Sequence, residues 1–180
     1  RDNLNIIDKS EDIESLAMLE KDNGDVYFVP AFSGLFSPHW DETARGSLFG
    51  LTRFSNKSHM ARAVLESVAF QTYELLESME KDLDTDFESL KVDGGMVANN
   101  LLMQFQSDIL DKSIHSQEIN EITALGVGVA SYLYVMDLPL SSMGNYITSS
   151  KTWNPNMSNE TRINSLESWY KAIEKAKNWL

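Results

Sequence analysis

The spacing of apolar side chains changes several times along the chain, and each change predicts an element. Residues 1–23 are polar and acidic, with apolar positions at Leu4, Ile7, Ile13, Leu16 and Leu19. That spacing predicts two short helices, or one helix and a turn. Gly24 and Asp25 interrupt it. Val26, Tyr27, Phe28 and Val29 then form an unbroken apolar run, which predicts a short buried strand stopped by Pro30. Residues 31–46 show no period and carry Phe32, Phe36, His39 and Trp40. A loop of that length inside a compact domain is usually functional or structurally special. Residues 47–51 read as the next strand.

Ser55, Asn56, Lys57 and Ser58 supply N-cap chemistry for a long helix reaching to about Leu83. Its expected buried stripe runs through Met60, Val64, Ser67, Gln71, Leu75 and Met79, widened by Leu65, Val68 and Leu76. Residues 82–88 form an acidic turn. A strand over 90–92 breaks at Gly94-Gly95, a helix follows over 99–110, and Asp111-Lys112 turns into a short strand around 113–115. Thr123 is expected to cap a helix over 124–135, in which Ala124, Gly126, Gly128 and Ala130 permit close approach of a neighbour at some loss of helix propensity. Pro139 stops it. Residues 141–157 read as a polar loop holding Trp153 and Pro155. A final amphipathic helix is expected over 158–180, with Ile163, Leu166, Tyr170 and Ile173 on one face. Trp169 and Trp179 on that helix either pack in the core, the commoner role, or anchor a partner. Strands alternate with helices from residue 26 to residue 137, which predicts an α/β fold.

Composition narrows the function classes. The chain has 180 residues, enough for one domain or most of one. Its formal net charge of -12 repels phosphate backbones and anionic membranes, so no nucleic acid and no membrane surface is expected as a partner. The absence of Cys rules out disulfides, thiolate metal sites and a cysteine nucleophile, and fits a reducing, cytoplasmic setting. No apolar run approaches the length of a membrane span. The opening at Arg1, without an initiator Met, leads to the expectation of a fragment or a processed chain.

The strongest local signal for chemistry is Asp93-Gly94-Gly95, between a strand and a helix. Glycines let a ligand touch bare backbone, and a helix N-terminus offers unpaired N–H groups. Together they make a phosphate or nucleotide cradle. The same residues equally describe a tight turn with no ligand. On local evidence the plain turn is favoured, because paired glycines are common in turns and no GxxxxGK[ST] pattern is present. Asp82, Asp84 and Asp86 alternate as in an EF-hand loop, but Phe87 stands where that loop needs glycine, so a solvated acidic turn is expected. His39, His59 and His115 are far apart and lack the spacing of a metal-binding helix face, so no metal site is expected. His39 is expected to be a packed loop histidine. Glu66 and Arg45 are candidate ion-pair partners with a structural role.

Longer stretches point further. Phe28-Val29-Pro30-Ala31-Phe32-Ser33-Gly34-Leu35, Trp40-Asp41 and Ala44-Arg45-Gly46 resemble the glycerol kinase branch of the FGGY carbohydrate kinases. So do Gly46-Ser47-Leu48-Phe49-Gly50-Leu51 and, seven residues on, His59-Met60-Ala61-Arg62-Ala63-Val64-Leu65-Glu66. Val92-Asp93-Gly94-Gly95-Met96-Val97-Ala98-Asn99-Asn100, followed by Leu102-Met103-Gln104-Phe105-Gln106-Ser107-Asp108-Ile109-Leu110, is similar almost position for position, and Thr123-Ala124-Leu125-Gly126 continues it. The resemblance is dense over residues 25–135 and looser over the final helix.

The resemblance implies a ribonuclease H-like ATPase fold of the actin and hexokinase type, present in part. Residues 1–180 would be a C-terminal kinase domain, incomplete at its N-terminal side, with the N-terminal kinase domain absent. It implies ATP or ADP with Mg²⁺ as cofactors, and glycerol and ATP as substrates yielding sn-glycerol 3-phosphate. Gly95 and Asn99 match the family's nucleotide contacts, and Gly94 is their backbone neighbour. The family's general base and glycerol-binding residues fall upstream, so no catalytic residue and no metal ligand is assigned here. Asp93 is expected only to support the glycine turn. A homo-oligomer, dimer or tetramer, is implied at full length. The isolated chain is expected to be inactive and, with an open surface, prone to self-association. Two alternatives stay open on sequence: another FGGY kinase acting on a sugar such as xylulose or gluconate, and a non-catalytic actin-like nucleotide-binding or scaffold module.

Overall fold

The structure, a computed structural model, describes residues 5–117, 122–146 and 149–180. Leu4 lies outside them. The N-terminal segment forms one helix, α1 (Asp12–Ala17), followed by turns. A two-stranded antiparallel sheet then pairs β1 (Tyr27–Val29) with β2 (Ser47–Phe49), in register Phe28 with Leu48. The long helix α2 (Lys57–Leu83) crosses the molecule. Asn56 starts it. The Asn56 side chain accepts from the Ser58 and His59 backbone N–H groups, and the His59 ring accepts from the Asn56 N–H, a capping box closed by histidine. Asp84, in the left-handed conformation, ends it.

The buried face of α2 differs from the expected stripe. Leu65, Ser67 and Leu76 are buried as expected, but Gln71, Leu75 and Met79 are exposed, and Ala61, Ala69 and Phe70 are buried in their place. The reason is that α2 packs on several elements: α1 and α3 (Asn100–Leu110) on one side, β1 on another. Alanines permit the close approach of α3, and a stripe traced through the larger side chains misses them.

The second sheet has the order β3-β4-β5. β3 (Ser89–Val92) runs parallel to β4 (Ser113–Gln117), with α3 as the crossover. β5 (Ser149–Trp153) pairs antiparallel with β4, Ile114 facing Trp153. The loop expected over 141–157 therefore contains a strand, preceded by a 3₁₀ turn (Leu140–Tyr146). It is an edge strand, and its Lys151 and Thr152 are exposed while Trp153 is buried, so its apolar signal is a single residue.

Thr123 lies inside α4 (Ile122–Val135), not at its cap, because the helix starts before it. The turn at Met136 and Asp137 ends that helix before Pro139. α5 (Asn159–Ala176) is capped by Ser158 Oγ accepting from the Thr161 N–H. It stops four residues short of the expected end, leaving Trp179 exposed, as is Ile163, while Trp169 is fully buried. Two clusters form the core, one around Val29, Phe70, Ile109, Trp169 and Ile173, the other around Leu16, Leu65, Leu102, Met103 and Ile114. Among the described residues no helix is long and apolar enough to cross a membrane.

Candidate functional site

The glycine turn is built by conformations that local sequence demands. Gly94 sits at φ 90° and ψ 177°, a region essentially reserved for glycine. Gly95–Ala98 then make one 3₁₀ turn, and Asn99 caps α3. A Cβ at Gly94 or Gly95 would meet nothing within 4 Å, so bare backbone faces open space at both. Gly95, Met96, Ala98 and Asn99 line one wall of a cleft of about 860 Å³. Val64, Leu65 and Val68 of α2 form a second wall, and Ile7, Ile13 and Glu14 of the N-terminal segment a third. The walls are mostly apolar. Gly95 and Asn99 thus line one cleft.

The helix end differs from the expected phosphate cradle. Of the first four N–H groups at the start of α3, Asn99 donates to the Met96 carbonyl at 3.0 Å. Leu101 donates to Glu14 Oε1 at 2.9 Å, and Leu102 to Asn99 Oδ1 at 2.8 Å. The Asn100 N–H alone of the four is left for an anion, and a carboxylate already sits beside it. What remains open is apolar surface, the Gly95 backbone, the Asn100 N–H and the Asn99 Nδ2 amide. Asp93 is exposed and makes no hydrogen bond to the turn, so the supporting role expected for it is absent. Glu14 is the residue sequence reasoning missed: 87 positions separate it from its partner, and nothing local marks it.

The remaining candidates are structural. His39 Nε2 lies 2.7 Å from Glu74 Oε1, with both side chains nearly buried, so the packed-histidine expectation holds. Burial pushes the Glu74 carboxyl up, and the His39 hydrogen bond opposes it. Asp41 ties the aromatic loop to the end of α5: Oδ1 accepts from the Thr43 hydroxyl at 2.6 Å and Oδ2 from the Asn178 N–H at 3.0 Å. The Thr43 hydroxyl and the Asn178 amide hold its carboxyl down at about 2. His59 belongs to the α2 cap, and His115 Nδ1 meets Thr152 Oγ1 at 2.9 Å. Asp82, Asp84 and Asp86 form an exposed turn. Among the described residues no group of three or more His, Asp or Glu is placed to hold a metal ion.

Glu66 pairs with Arg62, not Arg45. Arg62 Nε donates to Glu66 Oε1 at 3.0 Å, whereas the Arg45 guanidinium donates to the Glu42 and Ala44 carbonyls. Burial pushes the Glu66 carboxyl up to about 7 despite the Arg62 charge. The native state therefore holds a proton there that the unfolded state has released. The stability contribution of protonated Glu66 is complete below pH 4.5 and is lost as pH rises to about 7. Relative to the parent, Glu66→Gln should gain stability over that window, at up to about 1.4 kcal/mol per pH unit. Urea unfolding of both proteins from about pH 4 to about pH 8, spanning both titrations, checks this, and parallel curves would refute it.

Comparison with known proteins supplies the family. Residues 2–132 match the FGGY family of carbohydrate kinases, C-terminal domain. The chain belongs to this family. Glycerol kinase of Brucella anthropi is 49% identical over 182 residues, covering 100% of this chain and 36% of the relative. Glycerol kinase of Azorhizobium caulinodans is also 49% identical, over 183 residues, with 99% of this chain and 36% of the relative covered. The chain thus spans 36% of the length of these relatives. A crystal structure of Plasmodium falciparum glycerol kinase with ADP superposes with a TM-score of 0.87 at 33% identity, covering 95% of this chain and 34% of that one. Ligand-bound xylulose kinase from Lactobacillus acidophilus superposes with a TM-score of 0.76 at 22% identity, covering 96% and 35%, and shares the fold. The fold is the FGGY kinase fold, part of a ribonuclease H-like ATPase domain, as the resemblance implied.

Proposed function

We propose that the chain is the C-terminal portion of an ATP-dependent glycerol kinase, and that the cleft beside Gly95 and Asn99 receives the nucleoside end of ATP. The observation that carries this is the meeting of bare Gly95 backbone, the Asn99 amide and apolar α2 side chains in one cleft. A chain 49% identical to glycerol kinases supports the choice of acceptor. The apolar walls suit a purine ring, and Asn99 Nδ2 is available to donate to it or to the ribose. With the Asn99, Leu101 and Leu102 amides already engaged, the phosphates would extend past Gly94 and Gly95 toward the rest of the protein. Transfer of the γ-phosphoryl group to a glycerol hydroxyl would yield sn-glycerol 3-phosphate. The base that accepts the hydroxyl proton would lie in the upstream part, since Asp93 is exposed and contacts nothing that would orient it.

Mg²⁺ would balance phosphate charge in such a kinase. The described residues here do not fit a Mg²⁺ site, and no step is assigned to them through it. The full-length protein would act in the cytoplasm as a homo-oligomer, a dimer or tetramer.

Paired glycine variants of the full-length protein test this reading. Gly95 is outside the left-handed region and a Cβ there meets nothing, so Gly95→Leu should fold normally. It should raise KM for ATP by roughly tenfold or more, the equivalent of one lost hydrogen bond and a blocked contact, with KM for glycerol little changed. Gly94→Ala forces an L residue into φ 90° and should instead lose about 1–3 kcal/mol of stability. A Gly95→Leu enzyme with KM raised for glycerol and not for ATP would overturn the assignment.

A further inference from the structure

We propose that Glu14 is a positioning residue for the nucleotide cleft, acting through its hydrogen bond to the Leu101 N–H. This rests on the nucleotide reading of that cleft. The cleft has walls from three parts of the chain, and the third is the weakest. α1 has six residues, fewer than a helix needs to be stable alone, and is placed by what it touches. Leu16 and Ala17 are its buried residues and fix it against α2. Ile13 and Glu14 face the cleft across from Gly95 and Asn99.

The Glu14 carboxylate is the hydrogen bond that joins this wall to the opposite one. Its Oε1 accepts from the Leu101 N–H at 2.9 Å, two residues beyond Asn99. A carboxylate accepting from a helix N-terminal amide is among the stronger protein hydrogen bonds. It fixes the width of the cleft between Ile13 and the 3₁₀ turn. It also holds the first turn of α3 in the orientation that aims Asn99, whose Oδ1 caps the neighbouring Leu102 N–H. The Asn99 amide is therefore aimed by two caps side by side, one local and one brought from α1. Glu14 touches no reacting atom in this arrangement. Its effect would fall on nucleotide binding and leave the transfer step alone.

The same carboxylate gives the cleft a chemical preference. A negative charge on the α3 amides opposes a second anion there. The cleft then accepts the uncharged nucleoside end and turns the phosphates away. Removing the charge while keeping the acceptor separates the two effects.

The experiment uses the full-length kinase with Glu14→Ala, Glu14→Gln and Leu166→Ala. Leu166 is buried in α5 and does not line the cleft, so its truncation reports generic loss of stability. Steady-state kinetics with ATP and glycerol are measured alongside hydrogen exchange of the peptide covering residues 95–101, with and without ADP. Glu14→Ala should raise KM for ATP about tenfold with kcat and KM for glycerol within about twofold, and should lose ADP-induced protection of that peptide. Glu14→Gln, which keeps an acceptor, should recover most of both. Leu166→Ala should lower Tm without moving KM for ATP. The proposal is overturned if Glu14→Ala leaves KM for ATP and the protection unchanged, or if it behaves as Leu166→Ala does. It is also overturned if the parent shows no ADP-induced protection. A parent that binds ADP but does not phosphorylate glycerol would sink the glycerol kinase reading alone, and the exchange arm would still decide Glu14.

Discussion

The 180-residue chain purified alone is expected to transfer no phosphoryl group from ATP to glycerol. It holds the cleft proposed for the nucleoside, and among its described residues no carboxylate beside that cleft is held as a base: Glu11 is exposed and pairs with Lys9. Glu14 is engaged with Leu101, and Asp93 is exposed and unsupported. Positioning two substrates against each other supplies much of a kinase's rate, and a cleft proposed for the nucleoside alone cannot do so. The chain should also associate with itself. α4 carries no charged residue along its 14 positions, yet Tyr134 is 87% exposed and Val135 78%. A helix that is apolar on all sides is normally buried, and an exposed apolar surface of this kind drives association. A coupled assay for ADP release should read background with the chain and turnover with the full-length protein. Sedimentation velocity should show mass rising with concentration, less so for Val135→Glu. Glycerol-dependent turnover by the chain alone would overturn the claim.

How much of this was legible in the sequence differs from element to element. The cap at Asn56 was readable because capping is local: four residues contain the whole interaction. The glycine turn was readable for the same reason, since Gly94 at φ 90° is a property of one position. What the turn faces was not. The cleft exists only because α1, α2 and the start of α3 meet, and the bond that joins two of them spans 87 positions. Of the amides at that helix N-terminus, Leu101 is satisfied from a distant segment, which no local pattern marks. β5 was missed because an edge strand needs only one apolar face, and here that face is Trp153. The stripe on α2 was misread because burial there follows contact with several elements, and buried Glu66 and Glu74 break any hydrophobic count. Local conformation was open to sequence reasoning. Long-range satisfaction of charge and hydrogen bonds was not.

Trp169→Ala should be the most destabilising single change in the core. The indole is fully buried and stacks on Phe70 with ring centroids 5.0 Å apart and planes 9° from parallel. Phe70 in turn meets Phe105 of α3 edge-on at 5.4 Å and Tyr27 of β1 at 6.0 Å. One side chain on α5 thus reaches α2 directly, and α3 and β1 through it. Truncation removes that link and leaves a cavity, which costs about 3–5 kcal/mol. Typical domains have only about 5–15 kcal/mol in total, so much of the chain's stability would go. Trp169→Phe separates packing from polarity. The indole N–H is buried and makes no well-formed hydrogen bond, although as a neutral donor near Glu74 it weakly opposes the rise of that carboxyl. Phenylalanine keeps a stacked ring and removes that unsatisfied donor, so its cost should fall well below that of alanine. Urea unfolding followed by far-UV circular dichroism measures both. Equal losses for the two variants would mean that the indole N–H, not the stack, is what the core depends on.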